Sequence, residues 1–435
     1  MNYQEAMDYI SGAQKFGWLL GLERMECIMA QLGNPERTLK CIHIAGTNGK
    51  GSVAAIMAGA LQHAGYRTGL FISPYIEDFE ERIQIDRVYI SHEDLAEYTG
   101  RVSLAVEGCL AKGLEPPTEF EIITAVMFLY FAEQAIDYAV IEVGLGGDLD
   151  STNVLIPTLS VITSLSMDHV QILGNTLADI ARAKAGIIKG APVVSYPQLP
   201  EAAAVIRDKA AENKVPLTTI DPANVSFLGF DEGANQQKAA YTTKNWQFTA
   251  NLNLIGVHQL MNSLLAVTAL DVLNEIEHLR ITEAILKKTL AEVNWMGRME
   301  VMHKAPLILI DGAHNVDGIT NLKNSLDRYY PGRRYILILG VLADKDTHAM
   351  ADIIAKDAKR VICVTPVSAR ASLAKDLYEY IVSFNEATTW KDTYEEAVLD
   401  AMAHAQGDDF IIASGSLYMI GSMRTKLRKM FQTER

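Results

Sequence analysis

The chain has 435 residues, too long for one ordinary hydrophobic core, so two or three domains are expected. Hydrophobic residues make up 49% and charged residues 21%, the balance of a globular chain rather than a disordered one. The net charge of −14 argues against a nucleic-acid partner, which needs clustered Lys and Arg, but leaves room for small anions in a local basic pocket.

The first ten residues, "MNYQEAMDYI", carry acids and no long apolar run, and do not read as a signal peptide. No stretch approaches ~18 uninterrupted apolar residues, so no membrane span is expected. The four cysteines (Cys27, Cys41, Cys109, Cys363) are far apart and form no Cys-x-x-Cys pair. That spacing argues against a zinc site or a disulfide framework and fits a reducing cytosol.

Short β-rich runs then alternate with longer helical patterns. "KCIHIAG" reads as a buried strand, with a helix from Gly51 to Ala64 behind it. "RTGLFIS" is the next strand, "EFEIITAVMFLYFAEQA" a long helix, and "DYAVIEVG", "LSVITSL" and "APVVSY" further strands. The alternation predicts a parallel sheet with crossover helices. From about Leu217 to Gly256 the texture changes to a small antiparallel patch, followed by the helical "HQLMNSLLAVTALDVLNEI". After "NWMGRME" the α/β alternation restarts through "APLILIDGAH", "RRYILILGVL", "KRVICVTP" and "DDFIIASGSLY". A boundary near Trp295 divides the chain into residues 1–296 and 297–435, with an α/β domain on each side.

Between the first strand and its helix lies Gly46, Thr47, Asn48, Gly49, Lys50, Gly51, Ser52. Glycines let backbone N–H groups turn inward toward phosphate oxygens, and the following helix adds its positive N-terminus. Lys50 would meet the β/γ-phosphates, and the hydroxyls of Thr47 and Ser52 could serve phosphate or Mg²⁺. The run departs from the usual G-x-x-x-x-G-K-[ST] pattern, because Ile44 stands at its first position and Gly51 separates Lys50 from Ser52. A structural βα turn is the alternative.

Glu142 ends an apolar strand, where ligands of parallel α/β sheets bind, and is placed like an Mg²⁺ ligand facing a triphosphate. An edge carboxylate open to solvent is the other reading. The glycines that follow it in "GLGGDLDSTN" suggest close approach of a ligand. Another buried strand is read as ending in Asp168 and His169, candidate ligands beside Glu142, although a lone histidine is more often structural. Lys184 lies in an Ala-rich helix, where a solvated surface lysine is the local reading. In the second half, Asp311 and His314 follow one strand, and Asp344, Lys345 and Asp346 another, as if lining a shared crevice.

Taken together, "GTNGKGS", "SPYIEDFEERIQI", "IEVGLGGDLDSTN", "ITSLSMDHVQILGNTLADIARAKAGIIK", "GVHQLMNSLLA", "MGRME", "DGAHN", "LADKD" and "SGSLY" run in order from Ala45 to Tyr418. In this the chain resembles folylpolyglutamate synthase/dihydrofolate synthase, the folate branch of the Mur ligase superfamily. That branch inserts a glycine where Gly51 stands. The resemblance implies a Mur-type N-terminal ATP-binding domain and a C-terminal Rossmann-like domain with the active site between them. It implies ATP as co-substrate, Mg²⁺ at two sites, and amide-bond formation through an acyl phosphate.

Residue by residue, the resemblance puts ATP contacts at Gly46 to Ser52, Asn262, Arg298, Asp311 and His314. It puts Mg²⁺ at Ser52, Ser73, Glu142, His169 and a carbamylated Lys184. Lys50, Lys184 and His169 become the catalytic set. Folate contacts fall on Thr118, Phe120, Glu121, Leu149, Asp150 and Ser151. The implied partners are small molecules: a folate or dihydropteroate, L-glutamate and ATP, handled by a cytoplasmic monomer without nucleic acid or membrane. Tyr75, Asp148 and Met296 depart from the histidine, arginine and proline common in relatives, which bears on fine substrate contacts. Two other classes stand beside this one. One is an amino-acid ligase on a cell-wall nucleotide, which Gly51 and the roughly 45 residues before the loop oppose. The other is a nucleotide-gated switch without ligase chemistry.

Overall fold

The computed structural model describes residues 1–14, 21–368 and 370–431. The first sheet holds β1 (Cys41–Ala45), β2 (Thr68–Phe71), β3 (Ile83–Ile85), β4 (Val88–Tyr89), β5 (Tyr138–Glu142), β6 (Pro157–Ile162), β7 (Val193–Ser195) and β8 (Leu217–Thr219), in the order β4-β3-β2-β5-β1-β6-β7-β8. Every neighbour pair from β2 to β8 is parallel, and β3 and β4 add an antiparallel edge. β1, β2 and β5 are buried throughout, which explains why they read as continuous apolar runs rather than alternating ones.

Two helices against this sheet are apolar all round because they are enclosed all round. Lys50–His63 buries every residue from Ser52 to Leu61, and Glu119–Glu133 every residue from Glu121 to Phe131. The first of these starts one residue earlier than the sequence reading.

A second sheet of three strands, β9 (Val225–Asp231), β10 (Gln236–Thr242) and β11 (Gln247–Leu252), is the antiparallel patch expected after residue 217. Leu217 itself pairs in parallel with Val193 and so belongs to the first sheet. The third sheet runs β12-β13-β17-β14-β15-β16, with β12 (Glu300–Lys304), β13 (Leu307–Ile310), β14 (Tyr335–Leu339), β15 (Arg360–Cys363), β16 (Thr388–Trp390) and β17 (Phe410–Ser414). Only β12 is antiparallel to its neighbour. The short β3, β4, β12 and β16 lie at sheet edges, where two to five residues give too little periodicity to read.

Two compact units emerge, and they do not follow a single cut. Residues 1–226, 240–250 and 261–293 form one, and residues 227–239, 251–260 and 294–435 the other. Most of β9, the first half of β10 and the end of β11 therefore belong with the second unit.

The cysteine expectation is also corrected. Cys27, on the helix Glu23–Gln31, and Cys109, on the helix His92–Leu110, are joined as a disulfide with Cα atoms 6.1 Å apart. The two positions are 82 residues apart in sequence, and only helix packing makes them neighbours. Cys41 and Cys363 are buried thiols. Among the described residues, no helix is long and apolar enough to cross a membrane.

Candidate active site

β1 ends at Ala45 and the next helix begins at Lys50, so Gly46, Thr47, Asn48 and Gly49 make the whole turn. Gly46 (φ +154°) and Gly49 (φ +90°) hold conformations that side chains rarely adopt. A Cβ on Gly46 would collide with Thr163, and one on Gly49 would lie 2.5 Å from the amide oxygen of Asn262. Asn262, 213 residues downstream of Gly49, is thereby set directly on the loop. The loop is fastened from β6's side. Thr47 N–H donates to the Ser164 carbonyl at 2.8 Å, and the Thr47 hydroxyl donates to the Ser166 carbonyl at 3.1 Å. Thr47 Oγ1 is therefore engaged within the protein, whereas Ser52 lies buried in the first helical turn.

Lys50 Nζ folds back on the loop, donating to the carbonyls of Gly46 (3.1 Å) and Thr47 (3.2 Å), and stands 3.9 Å from Glu142 Oε1. Glu142 is only 5% exposed, which overturns the solvent-edge reading. Its Oε2 accepts the Ser73 N–H at 3.3 Å, so Lys50, Glu142 and Ser73 form one line across the carboxyl ends of β1, β5 and β2.

Lys184 is likewise no surface lysine. It is 5% exposed, and its Nζ donates to the Gly46 carbonyl at 2.9 Å, sharing that oxygen with Lys50. Burial, then the Lys50 charge, pushes its pKa down to about 7, with Asp168 and Asp150 opposing. His169 differs from its sequence reading. β6 stops at Ile162, and His169 sits seven residues later in the left-handed conformation (φ 49°) as N-cap of the short helix Val170–Leu173. Its Nε2 is 4.0 Å from Asp168 Oδ1.

No three His, Cys, Asp or Glu side chains converge as a metal cage among the described residues. That is compatible with Mg²⁺ chemistry, in which one or two carboxylates work beside phosphate oxygens and water. The buried carboxylate of Glu142 and the neighbouring Ser73 hydroxyl are fitting oxygen donors for it, with Lys50 left to the phosphates.

Two of the glycines after Glu142 are required by packing. A Cβ on Gly144 would lie 2.5 Å from the Phe120 ring, and one on Gly147 would lie 2.6 Å from the Ala183 carbonyl and 2.9 Å from Lys184 Cα. Asp148 N–H donates to that same Ala183 carbonyl, so this loop rests directly on the Lys184 helix.

Three of the residues assigned to folate are occupied internally. Thr118 and Glu121 form a capping box at the start of their helix, and Glu121 also pairs with Arg24 at 2.9 Å. Asp150 accepts from Leu145 N (2.8 Å), Thr152 N (3.0 Å) and Thr152 Oγ1 (2.5 Å). Phe120, half-buried against Phe71, the partly exposed Ser151 and the exposed Leu149 are the members of that set with surface to offer.

In the second unit, Asp311 follows β13 and accepts from Met299 N and Ala313 N, both at 2.9 Å. Burial raises its pKa, and the Arg298 guanidinium opposes that shift. Arg298 Nη1 lies 2.3 Å from where a Cβ on Gly312 would be, and His314 Nδ1 bonds the Gly312 carbonyl at 2.8 Å, so Arg298, Asp311 and His314 share one corner. Asp344 follows β14 at five residues' distance and pairs with Arg370 at 3.3 Å.

Sequence reasoning missed several residues here. His258 lies beside Arg298, and enclosure together with that charge pushes its pKa down to about 4. Arg24 reaches Glu121 from a helix 97 residues away, with no signal in the sequence. His43 and Lys189 sit behind the Asp150 loop, where His43 Nε2 is 2.8 Å from Thr152 Oγ1 and Lys189 bonds the carbonyls of Asn153 and Leu155. Arg82 closes the "SPYIEDFEER" string 3.3 Å from Ser73 Oγ.

Comparisons with known proteins agree with this geometry. Residues 44–270 match the Mur ligase middle domain, and residues 297–417 the Mur ligase glutamate ligase domain. The dihydrofolate synthase/folylpolyglutamate synthase of Bacillus subtilis (strain 168) is 37% identical over 428 residues, 98% of this chain and 99% of that one. A solved Mycobacterium tuberculosis folylpolyglutamate synthase with ADP superimposes at TM-score 0.90 and 28% identity, covering 98% of this chain and 99% of that one. A solved FPGS–AMPPCP–folate complex does so at 0.86 and 34%, covering 98% and 100%. A Lys-bearing glycine loop, a buried Glu facing it and a full-length likeness of this order have one consequence: the chain belongs to the Mur ligase family, in its folylpolyglutamate synthase/dihydrofolate synthase branch.

Proposed function

We propose that this protein is an ATP-dependent ligase that joins L-glutamate to a folate through an acyl phosphate. Dihydropteroate is proposed as a second acceptor. One observation carries the reading. The line Lys50–Glu142–Ser73 ties the phosphate loop to the strand ends that neighbour Phe120, so a triphosphate and a pterin acid have adjacent seats.

An oxygen of the substrate carboxylate forms a bond to the γ-phosphorus of ATP. The bond from that phosphorus to the β,γ-bridging oxygen breaks, and ADP leaves. The amine of L-glutamate then attacks the acyl carbon, inorganic phosphate leaves with the carbon–oxygen bonding pair, and the amine gives up its proton to solvent. Phosphorylation supplies the leaving group that a carboxylate lacks.

Lys50 swings from the Gly46 and Thr47 carbonyls onto the phosphates, where its charge offsets theirs. The N–H groups of Gly49 to Ser52 point along the helix axis toward the same place. Ser52, Ser73, Glu142, His169 and a carbamylated Lys184 would hold Mg²⁺ at two sites, and the metal would neutralise phosphate charge. Carbamylation of Lys184 needs a neutral amine, and the depressed pKa of this lysine supplies one near neutral pH. Arg298, Asp311 and His314 keep the nucleotide role that the family resemblance gives them. The cytoplasm is the proposed compartment and a monomer the proposed assembly.

The test is phosphate release from ATP with Mg²⁺ and L-glutamate, offering dihydropteroate and tetrahydrofolate separately. Release that requires both glutamate and a pterin is expected. Release indifferent to glutamate would favour a nucleotide switch and overturn the ligase reading.

A further inference from the structure

The segment from Ser73 to Arg82 is fixed with unusual care for a loop. The Glu81 carboxylate accepts three successive backbone N–H groups, from Ile76 (2.7 Å), Glu77 (2.8 Å) and Asp78 (2.8 Å). The Arg82 carbonyl accepts Ile72 N–H at 3.1 Å, which ties the far end of the loop back to its start.

This frame presents one guanidinium. The Arg82 side chain is 10% exposed, with its carbon 5.2 Å from the Tyr75 ring and 5.3 Å from the Phe79 ring. Two aromatic faces hold it in a defined orientation, so little rotamer freedom remains to be lost on binding. Its Nη1 is 3.3 Å from Ser73 Oγ and its Nη2 is 3.4 Å from Glu119 Oε1.

The position matters as much as the charge. On one side Ser73 leads through Glu142 to Lys50, the phosphate end of the site. On the other, Glu119 opens the helix that carries Phe120. A molecule that reaches from Phe120 toward the γ-phosphate passes Arg82, and a carboxylate approaching a polyphosphate needs a cation at that point.

We propose that Arg82 is the residue that binds the reacting carboxylate of the pterin substrate. It receives the carboxylate on its planar fork and offsets its charge beside the phosphates. The inference rests on the ligase reading above and adds to it a recognition residue. Lys50 serves the nucleotide, and Arg82 serves the acid that attacks it.

The test compares equilibrium binding of two ligand pairs that differ only in charge at the reacting carbon: dihydropteroate with its carboxamide, and tetrahydrofolate with its γ-carboxamide. Wild-type protein is expected to prefer the carboxylate of the pair it turns over by roughly 10- to 100-fold, the span of one charge-assisted bidentate contact. In Arg82→Gln that preference should vanish while carboxamide affinity stays within about twofold of wild type. Arg82→Lys should keep part of it, because it keeps the charge and loses the fork. A merely structural arginine would weaken acid and amide alike. Should Arg82→Gln fail to fold, the lysine variant decides alone, with an intermediate preference as the expected result. A preference unchanged in either variant, or no preference in the wild type, would overturn the proposal. Wild-type turnover with either pterin, measured beforehand, tests the ligase reading independently.

Discussion

His43 makes the acid stability of the N-terminal unit calculable. It lies fully buried on the central strand β1, two residues before the chain turns into the phosphate loop. The Thr152 hydroxyl has a single proton and donates it to Asp150 Oδ1 at 2.5 Å. His43 must therefore donate to Thr152 from Nε2–H, which leaves Nδ1 bare, and that nitrogen has no hydrogen-bond partner among the described residues. Protonating it would place a charge in the core near Lys189. Burial first, and the Lys189 charge second, push the pKa of His43 down from 6.5 to about 3.

The sign follows from proton counting. Below pH 6.5 the unfolded chain takes up a proton at His43 that the folded chain refuses until about pH 3. The unfolded state thus binds more protons across that window, and stability falls as the pH falls through it. From pH 7 to pH 5 the loss is about 1.5 pH steps at ~1.4 kcal/mol each, or about 2 kcal/mol, a large share of a typical domain's stability. His43→Gln keeps an amide donor for Thr152 and cannot titrate. Its drop in stability between pH 7 and pH 5 should be smaller than the wild type's by about 2 kcal/mol. Hydrogen exchange at the amides of Ile42, His43 (or its replacement) and Ile44, corrected for intrinsic rates, reads this free energy without requiring both units to unfold together. Equal losses in the two proteins would refute the argument.

Three further outcomes are expected. Lys50→Ala should keep its melting temperature while glutamate-dependent phosphate release falls roughly 100-fold or more, because one preorganised charge at the phosphates is gone; turnover near wild type would remove Lys50 from the site. Lys184→Ala should be inactive, with partial recovery on adding a small carboxylate, and native mass spectrometry of the wild type above pH 7 should show the added CO₂. A metal- and nucleotide-bound crystal with a bare Lys184 amine turned from the metal would end that idea. Gly147→Ala should lower stability by about 1–3 kcal/mol, since its Cβ would press on the Ala183 carbonyl and shift the Lys184 helix; an unchanged melting temperature would contradict the packing described.

The sequence by itself determined the parallel α/β architecture and the phosphate loop. Both are written in local chemistry. Strands enclosed on both faces must be continuous apolar runs, as "HIA" and "AVIE" are, and a loop that turns N–H groups toward phosphate must place glycines where side chains cannot go. Gly46, Gly49 and Lys50 were legible for that reason. The family strings added Asn262 and Lys184, which local pattern alone would have passed over as a core amide and a surface lysine.

Tertiary structure decided what depends on neighbours distant in sequence. Lys184 is buried because Gly147 lets the 144–150 loop lie against its helix. Glu142 is a buried carboxylate because β1 and β2 flank β5. Cys27 meets Cys109 because two helices pack side by side. Asp150, Thr118 and Glu121, folate contacts by resemblance alone, have oxygens bonded to their own loop and helix cap, which no local pattern announces. Arg82 stood in a family string but with no role of its own, since an arginine's meaning lies in what surrounds its guanidinium. A residue type fixes which bonds a side chain can make, but only the fold fixes which partners are within reach and how much water is left to compete for them.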